Sequence, residues 1–557
     1  MTTSSPQTNP VTTEIIRNAF NAIAEDMNAA LIRSAFTPII YEGKDCAVGL
    51  LDENGDVLGQ SLGLPLFLGN LSLCVQIVAE MKGWDYYEEG DVILLNDSYI
   101  AGTHLNDITI IMPIFWEGNR IGFATSRAHW LDVGAKDAGS PTDASEIYQE
   151  GMRWPPTKVY RRGEAQEDIL NFMRANSRFG DALIGDLHAQ IAAGRTGEKR
   201  MRGLIERFGY ETVKVARDDI FAQSAVLERQ AIAAIPDGEY SAVGALDNDG
   251  ISDDPVPVML TVRIAGETME MDLTGSSRQT VGGVNCGYTQ TVSALRVAFK
   301  LLVNPERPVD GGTFLALNVI APEGSIFRAQ EPAACSWYFS SLGMLIDMVV
   351  RALAPAMPER AAAAHYGDSM VTIFSGNDAR NEDAFFVAVE ANCGGWGAWN
   401  GDDGQDCLIN NVNGSFRDYP IEVFEHRYPM RIAKYGIRED SGGQGEYRGG
   451  NGSYREYHID GDTSLSLWFE RSLTRPWGLS GGEEGLGPKV EIIAPDGSVR
   501  DDLLKASSMA LKAGSIVRVA TGGGGGFGDP ARRSAERSAK DRANGFVTEE
   551  PGVSVEA

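Results

Sequence analysis

Apolar residues recur at helical spacing between Thr12 and Phe36, where Ile15, Ile16, Phe20, Ile23, Met27, Leu31 and Ile32 share one wide face. Pro38 ends that helix. Ala47–Leu51 and Val57–Gln60 flank Asp-Glu-Asn-Gly and predict a hairpin. Asn70–Met81 reads as a second helix and Asp91–Leu95 as a short buried strand. Asp107–Trp116 and Arg120–Ala128 are two strands joined around Glu117–Asn119. Residues 165 to 235 are rich in Ala, Leu, Arg and Glu and predict helices.

The pattern changes near Ile235 and Pro236. Short strands such as Val258–Ile264 and Thr268–Leu273 follow, with helices near 289–303 and 338–356. From about 385 to 526 the chain alternates strands with glycine loops, and no internal repeat is visible. The expected class is α+β, with an α+β region over 1–235, a β-rich region with helices over 236–530 and a tail over 531–557.

Composition sharpens this picture in three places. Gly is unusually abundant at 64 of 557 residues, without a Gly-X-Y period, so the glycines serve turns and close backbone approaches. A net charge of −28 repels phosphate backbones, so no nucleic-acid partner is expected. Six cysteines form no CxxC pair, which fits a reducing cytoplasm and disfavours a disulfide scaffold. MTTSSPQTNP has neither a basic n-region nor an apolar core, so no signal peptide is expected. The strongest apolar run, Ile108–Trp116, is far short of the ~20 residues that a membrane helix needs, so no membrane span is expected.

The hard ligands concentrate in NDSYIAGTHLND (Asn96–Asp107) and SRAHWLD (Ser126–Asp132), which offer Asp97, His104, Asp107, His129 and Asp132. A hairpin centred on Gly118–Asn119 sets Asp107 opposite Trp130 and Ile108 opposite His129. Cross-strand neighbours stand about 5 Å apart, so His104, Asp107, His129 and Asp132 could converge. Imidazole with carboxylate suits Zn²⁺, Mn²⁺ or Fe²⁺, and such a cation lowers the pKa of water. Asp45 could add a ligand. The bland alternative is that the acids cap turns and the histidines bond carbonyls. No G-x-x-x-x-G-K-[ST] motif occurs. Ser441–Gly452 and Gly522–Gly526 open no clear helix and read as close backbone approaches rather than phosphate cradles. GLSGG (Gly478–Gly482) lacks the strand and helix that a nucleophile elbow requires.

NDSYxxGTHxxD (Asn96–Asp107) followed by SRAHxxDVG (Ser126–Gly134) resembles the signature of the hydantoinase B/oxoprolinase family. The resemblance continues through EIYQEGMRWPP (146–156), GDLHAQIAAG (185–194), DLTGS (272–276), PIEVFE (420–425), SGGQGEYRGGNG (441–452), PWGLSGG (476–482) and GGGGGFGDP (522–530). It implies a metal-dependent B-type subunit of an ATP-dependent cyclic-amide hydrolase acting on hydantoins, 5-oxoproline or lactams. The implied partner is a hydantoinase A-type subunit that holds ATP and Mg²⁺ and phosphorylates the amide carbonyl, in a hetero-oligomer of heterotetramer type. By resemblance the metal ligands are Asp45, His104, Asp107 and His129, the last three also serving catalysis. Many relatives read His-His where this chain has His129 and Trp130, so Trp130 either lines an apolar substrate pocket or packs on the sheet. Arg127 is either a charge-assisted donor to substrate or a structural ion-pair partner. The rival functions are a subunit of an acetone- or acetophenone-type carboxylase and a non-catalytic assembly chain.

Overall fold

A computed structural model describes residues 9–548. The amphipathic N-terminal segment is a helix, Pro10–Ser34, opened by the side chain of Asn9 on the Thr12 N–H. It lies with the long helix Gly180–Phe208 on one face of a seven-stranded sheet. The strands are β1 (Cys46–Asp52), β2 (Val57–Gln60), β3 (Val92–Leu95), β4 (Asp107–Trp116), β5 (Asn119–His129), β6 (Thr157–Arg161) and β7 (Glu164–Ala165). Their order is β2-β1-β5-β4-β3-β6-β7.

The long apolar run in β4 follows from burial on both faces. Ile108, Ile110, Met112 and Ile114 join the core under the two long helices. Ile111 and Phe123 face the other way, onto Cys74, Val75 and Val78 of the helix Leu71–Lys82.

A second sheet runs 317–320, 268–272, 256–265, 238–246, and carries the helices Tyr288–Leu302 and Tyr338–Leu353. Two further sheets, 384–391/371–378/463–468/505–511 and 430–437/453–459/516–520/489–493/499–500, enclose a third core. The fold is α+β. The stretch expected to hold only strands and loops also contains a short helix, Ile421–Arg427. Of the C-terminal tail, Ala535–Ala543 is helical, and residues beyond 548 lie outside the described chain.

The glycine segments near the C-terminus build a bundle of their own. Successive amides of Gly523, Gly524, Gly525 and Gly526 donate to the carbonyls of Leu486, Gly450, Ala364 and Glu483. The first and fourth therefore reach the same neighbouring segment. This three-residue period matches an extended helix without internal hydrogen bonds. A Cβ on Gly524 would stand 2.0 Å from the Trp396 carbonyl oxygen, and one on Gly525 2.0 Å from that of Trp477. The obstacles are backbone on different sides, so no side chain fits anywhere along the segment.

Gly524→Ala should therefore lower the thermal midpoint by many degrees or abolish soluble expression. Gly203→Ala is the control: it sits in a helix with nothing within 4 Å of an added Cβ. It should leave the midpoint unchanged or raise it slightly, since alanine favours helix by about 0.5–1 kcal/mol. Thermal denaturation of both variants checks the contrast.

Candidate metal centre

Asp97 caps the one-turn helix Ser98–Ala101 by accepting the Tyr99 N–H. Gly102 then takes φ 87°, and a Cβ there would stand 2.5 Å from the Gln290 amide nitrogen. The chain turns so that the His104 carbonyl accepts the Asp107 N–H, setting His104 beside Asp107. On the neighbouring strand β5, His129 is the direct partner of Asp107.

That register differs by one from the expected pairing of Asp107 with Trp130. The turn is Glu117–Gly118, both at positive φ, and a bulge at Ile114/Phe115 shifts the ladder by one residue. Successive strand residues face opposite sides. Asp107 and His129 consequently share a face, while Trp130 points to the helical one.

Nε2 of His104 lies 3.0 Å from Asp107 Oδ1 and 3.1 Å from His129 Nδ1, and His129 Nδ1 lies 3.2 Å from the same carboxylate oxygen. The three potential donors fall within 4.8 Å of one another, and all three residues are buried. His104 Nδ1 faces the Ser336 carbonyl at 3.1 Å, which fixes the tautomer with Nδ1–H donating and Nε2 bare. The Tyr338 hydroxyl donates to Asp107 Oδ2 at 2.8 Å and holds the carboxylate in line.

Asp45 lines the same cavity but stands outside this three-residue group. Its backbone carbonyl accepts the His129 N–H at 3.0 Å, and its Oδ1 is buried without a partner. A donor set of two imidazoles and a carboxylate, with an unsatisfied carboxylate oxygen facing it, fits a borderline divalent cation.

Electrostatics in the metal-free chain follow from this crowding. Burial alone would raise Asp107, but the imidazoles of His104 and His129 hold its carboxyl well below the usual range. Burial opposes a charge on His104, yet Asp107 outweighs it and the imidazole pKa is raised. Burial pushes Asp45 up to about 6, against the pull of His129.

The remaining expected site residues lie elsewhere. Trp130 is buried in the core under the long helices, where its indole N–H donates to Gln190 Oε1 at 3.0 Å, so it packs on the sheet and does not line the cavity. Arg127 is wholly buried behind Phe67, its guanidinium 5.6 Å from that ring. It donates to Thr109 Oγ1, Gln290 Oε1 and Cys74 Sγ, and has neither an ion-pair partner among the described residues nor a place on the cavity wall. Asp132 is taken up by Ser177 and Arg178, so it does not converge with the histidines.

A family model described as hydantoinase B/oxoprolinase matches residues 9–530. The chain belongs to the hydantoinase B/oxoprolinase family. It is 30% identical over 563 residues to the B-type subunit of a putative D-/L-hydantoinase from a Pseudomonas species, covering 98% of this chain and 94% of the relative. The crystal structure of the ATP-dependent caprolactamase from Pseudomonas jessenii superposes with a TM-score of 0.90 at 28% identity, covering 98% of this chain and 95% of the other. A nucleotide-free acetone carboxylase shares the fold at 21% identity and TM-score 0.88, over 97% of this chain and 78% of the other.

Two residues around the centre escape a reading of the sequence. Tyr338 comes from 231 positions beyond Asp107, and Glu150 acts through backbone alone. Glu150 Oε1 accepts the N–H groups of Cys335 and Ser336 at 2.6 and 3.0 Å, fixing the loop whose carbonyl orients His104. No spacing rule links such distant positions. Only their place in segments of dense polar and aromatic character hints at a role.

Burial pushes Glu150 up to about 7 from 4.5. A carboxyl raised on folding contributes stability that is complete below the unfolded value and is lost as pH climbs through the folded one. Glu150→Gln keeps an acceptor for both amides and stays neutral. It should raise the thermal midpoint of the metal-free protein by about 2–4 °C at pH 8 and leave it nearly unchanged at pH 5. Glu150→Ala should lower the midpoint at both. Scanning fluorimetry across that range checks the sign.

Proposed function

We propose that this chain is the metal-dependent B-type subunit of a two-component, ATP-dependent cyclic-amide hydrolase. The observation that carries the reading is the group His104, Asp107 and His129 on the wall of a cavity that Asp45 also faces. The names of the hydantoinase and caprolactamase relatives support the substrate class. His104 through Nε2, His129 through Nδ1, Asp107 and Asp45 would hold the cation. When bound, that cation supplies Lewis acidity and makes water a nucleophile near neutral pH.

The protein's own groups supply position and dryness. Ser336 keeps His104 in one tautomer, Tyr338 keeps Asp107 from rotating, and the apolar wall excludes bulk water from the reacting carbonyl.

ATP and Mg²⁺ are assigned to a hydantoinase A-type partner in a hetero-oligomer. The amides of Gly523–Gly526 are all spent on neighbouring carbonyls, so this glycine segment offers no free N–H groups to a phosphate. All six cysteines are free, and among the described residues no helix is long and apolar enough to cross a membrane. A cytoplasmic location agrees with the free thiols.

Elemental analysis of the purified protein should find about one divalent Zn, Mn or Fe per chain, and His104→Ala or His129→Ala should remove nearly all of it. In the reconstituted two-component enzyme each variant should lose at least about 100-fold in ATP-dependent ring opening of a hydantoin or lactam. Full activity in both variants without metal would sink the reading. ATP-dependent turnover confined to acetone or acetophenone with bicarbonate would replace it with a carboxylase.

A further inference from the structure

The cavity beside the metal centre has two unlike linings. One part of it is His104, Asp107, His129 and Asp45. Around it stand Phe67, Phe339, Ile373, Val389, Val412 and Phe416, the Phe339 ring 6.2 Å from that of His104. Among the described residues, no lysine or arginine lines it anywhere. The guanidinium of Arg127 lies behind the Phe67 ring with its nitrogens committed to Thr109, Gln290 and Cys74. The lining also carries neutral polar groups: the hydroxyls of Ser140 and Ser369 and the amide of Asn413.

We infer that the site accepts cyclic amides whose ring bears no ionised substituent, and rejects ring carboxylates. This deepens the hydrolase reading and rests on it for the orientation of the amide. With the reacting carbonyl at the histidines, the rest of the ring meets the apolar wall. A ring carboxylate there would lose its hydration and find no cationic side chain, a cost that an unpaired buried charge cannot recover. An uncharged ring loses only weakly held water, and Ser140, Ser369 and Asn413 can satisfy an amide without a charge. The class is thus unsubstituted, alkyl- or aryl-bearing lactams and hydantoins.

2-Pyrrolidinone and 5-oxoproline share one five-membered lactam ring and differ by a single carboxylate, so they isolate the charge. In the two-component enzyme, kcat/KM for 2-pyrrolidinone should exceed that for 5-oxoproline by at least about 100-fold. Saturation-transfer NMR on the full-length chain alone should show 2-pyrrolidinone and ε-caprolactam bound and 5-oxoproline unbound. Asn413 is half-buried at the cavity, and Asn413→Lys should narrow the preference at least about tenfold by supplying the missing cation. Turnover or binding of 5-oxoproline within tenfold of the neutral ring would overturn the inference, as would a folded Asn413→Lys variant with an unchanged ratio. Selective binding of the neutral rings without any ATP-dependent opening would uphold the charge selection and overturn the hydrolase reading instead.

Discussion

The register of β4 against β5 is the constraint on which the site depends. Asp107 and His129 share a face because they are direct partners in an antiparallel ladder, and His104 joins them from the turn just before β4. A slip of one residue would turn His129 and Arg127 towards the helices and bring Trp130 to the cavity. Several features prevent it. The two-residue turn at Glu117–Gly118 and the bulge at Ile114/Phe115 set the count. Gln190 accepts the Trp130 indole N–H and donates to the Ile108 carbonyl and to Ser126 Oγ, reading both strands from the helix above. Apolar packing on both faces penalises any alternative, since each shifted side chain would meet the wrong core.

Much of this is legible along the chain. The amphipathic period from Thr12 to Phe36 and the run from Ile108 each specify an element by burial alone, and both elements form. His104, Asp107 and His129 can be brought together on paper because a hairpin makes distant residues neighbours by simple counting. The count fails by one because the turn sits at Glu117–Gly118 rather than Gly118–Asn119, which moves the pairing by two, and the bulge at Ile114/Phe115 returns one. Asp97 and Asp132 look like ligands but are spent elsewhere, Asp97 on a backbone amide and Asp132 on Ser177 and on the amide and guanidinium of Arg178, and spacing does not distinguish these uses. Tyr338, Glu150 and Ser336 are illegible for another reason. They reach the centre through tertiary packing across more than 180 positions, which no local period encodes.

Buried charge is tolerated in the fold where it is held, in some places by ion pairs such as Arg455–Glu390 and Arg471–Asp347 and in others by backbone amides. Glu150 sits on two amides, and Asp52 on the amides of Asn54 and Asp56 as well as Arg217, yet burial still pushes each carboxyl up to about 7. Asp107 goes the other way because two imidazoles face it. The contrast separates supporting carboxyls, whose neutral form folds best, from one whose charge its surroundings demand.

The glycine bundle, remote as it looks, bears on the same cavity. Val371, Ile373, Val389 and Ala391 belong to the third sheet, and Val412, Asn413 and Phe416 to the loop that follows its partner segment. Those segments are tied to the bundle directly: Gly394 exchanges two hydrogen bonds with Leu408, Gly395 donates to the Gly522 carbonyl, and Trp396 accepts from Gly450. From there Asn410 passes the constraint on, donating to Ser369 Oγ while its carboxamide oxygen accepts from Val412 and Asn413. Close-packed backbone has no rotamers through which to yield, so a side chain inserted at Gly524 would displace whole strands rather than one neighbour. The apolar wall of the cavity therefore inherits its shape from glycines that do not line it. That dependence gives a physical reason for so many glycines in a chain whose chemistry needs so few residues.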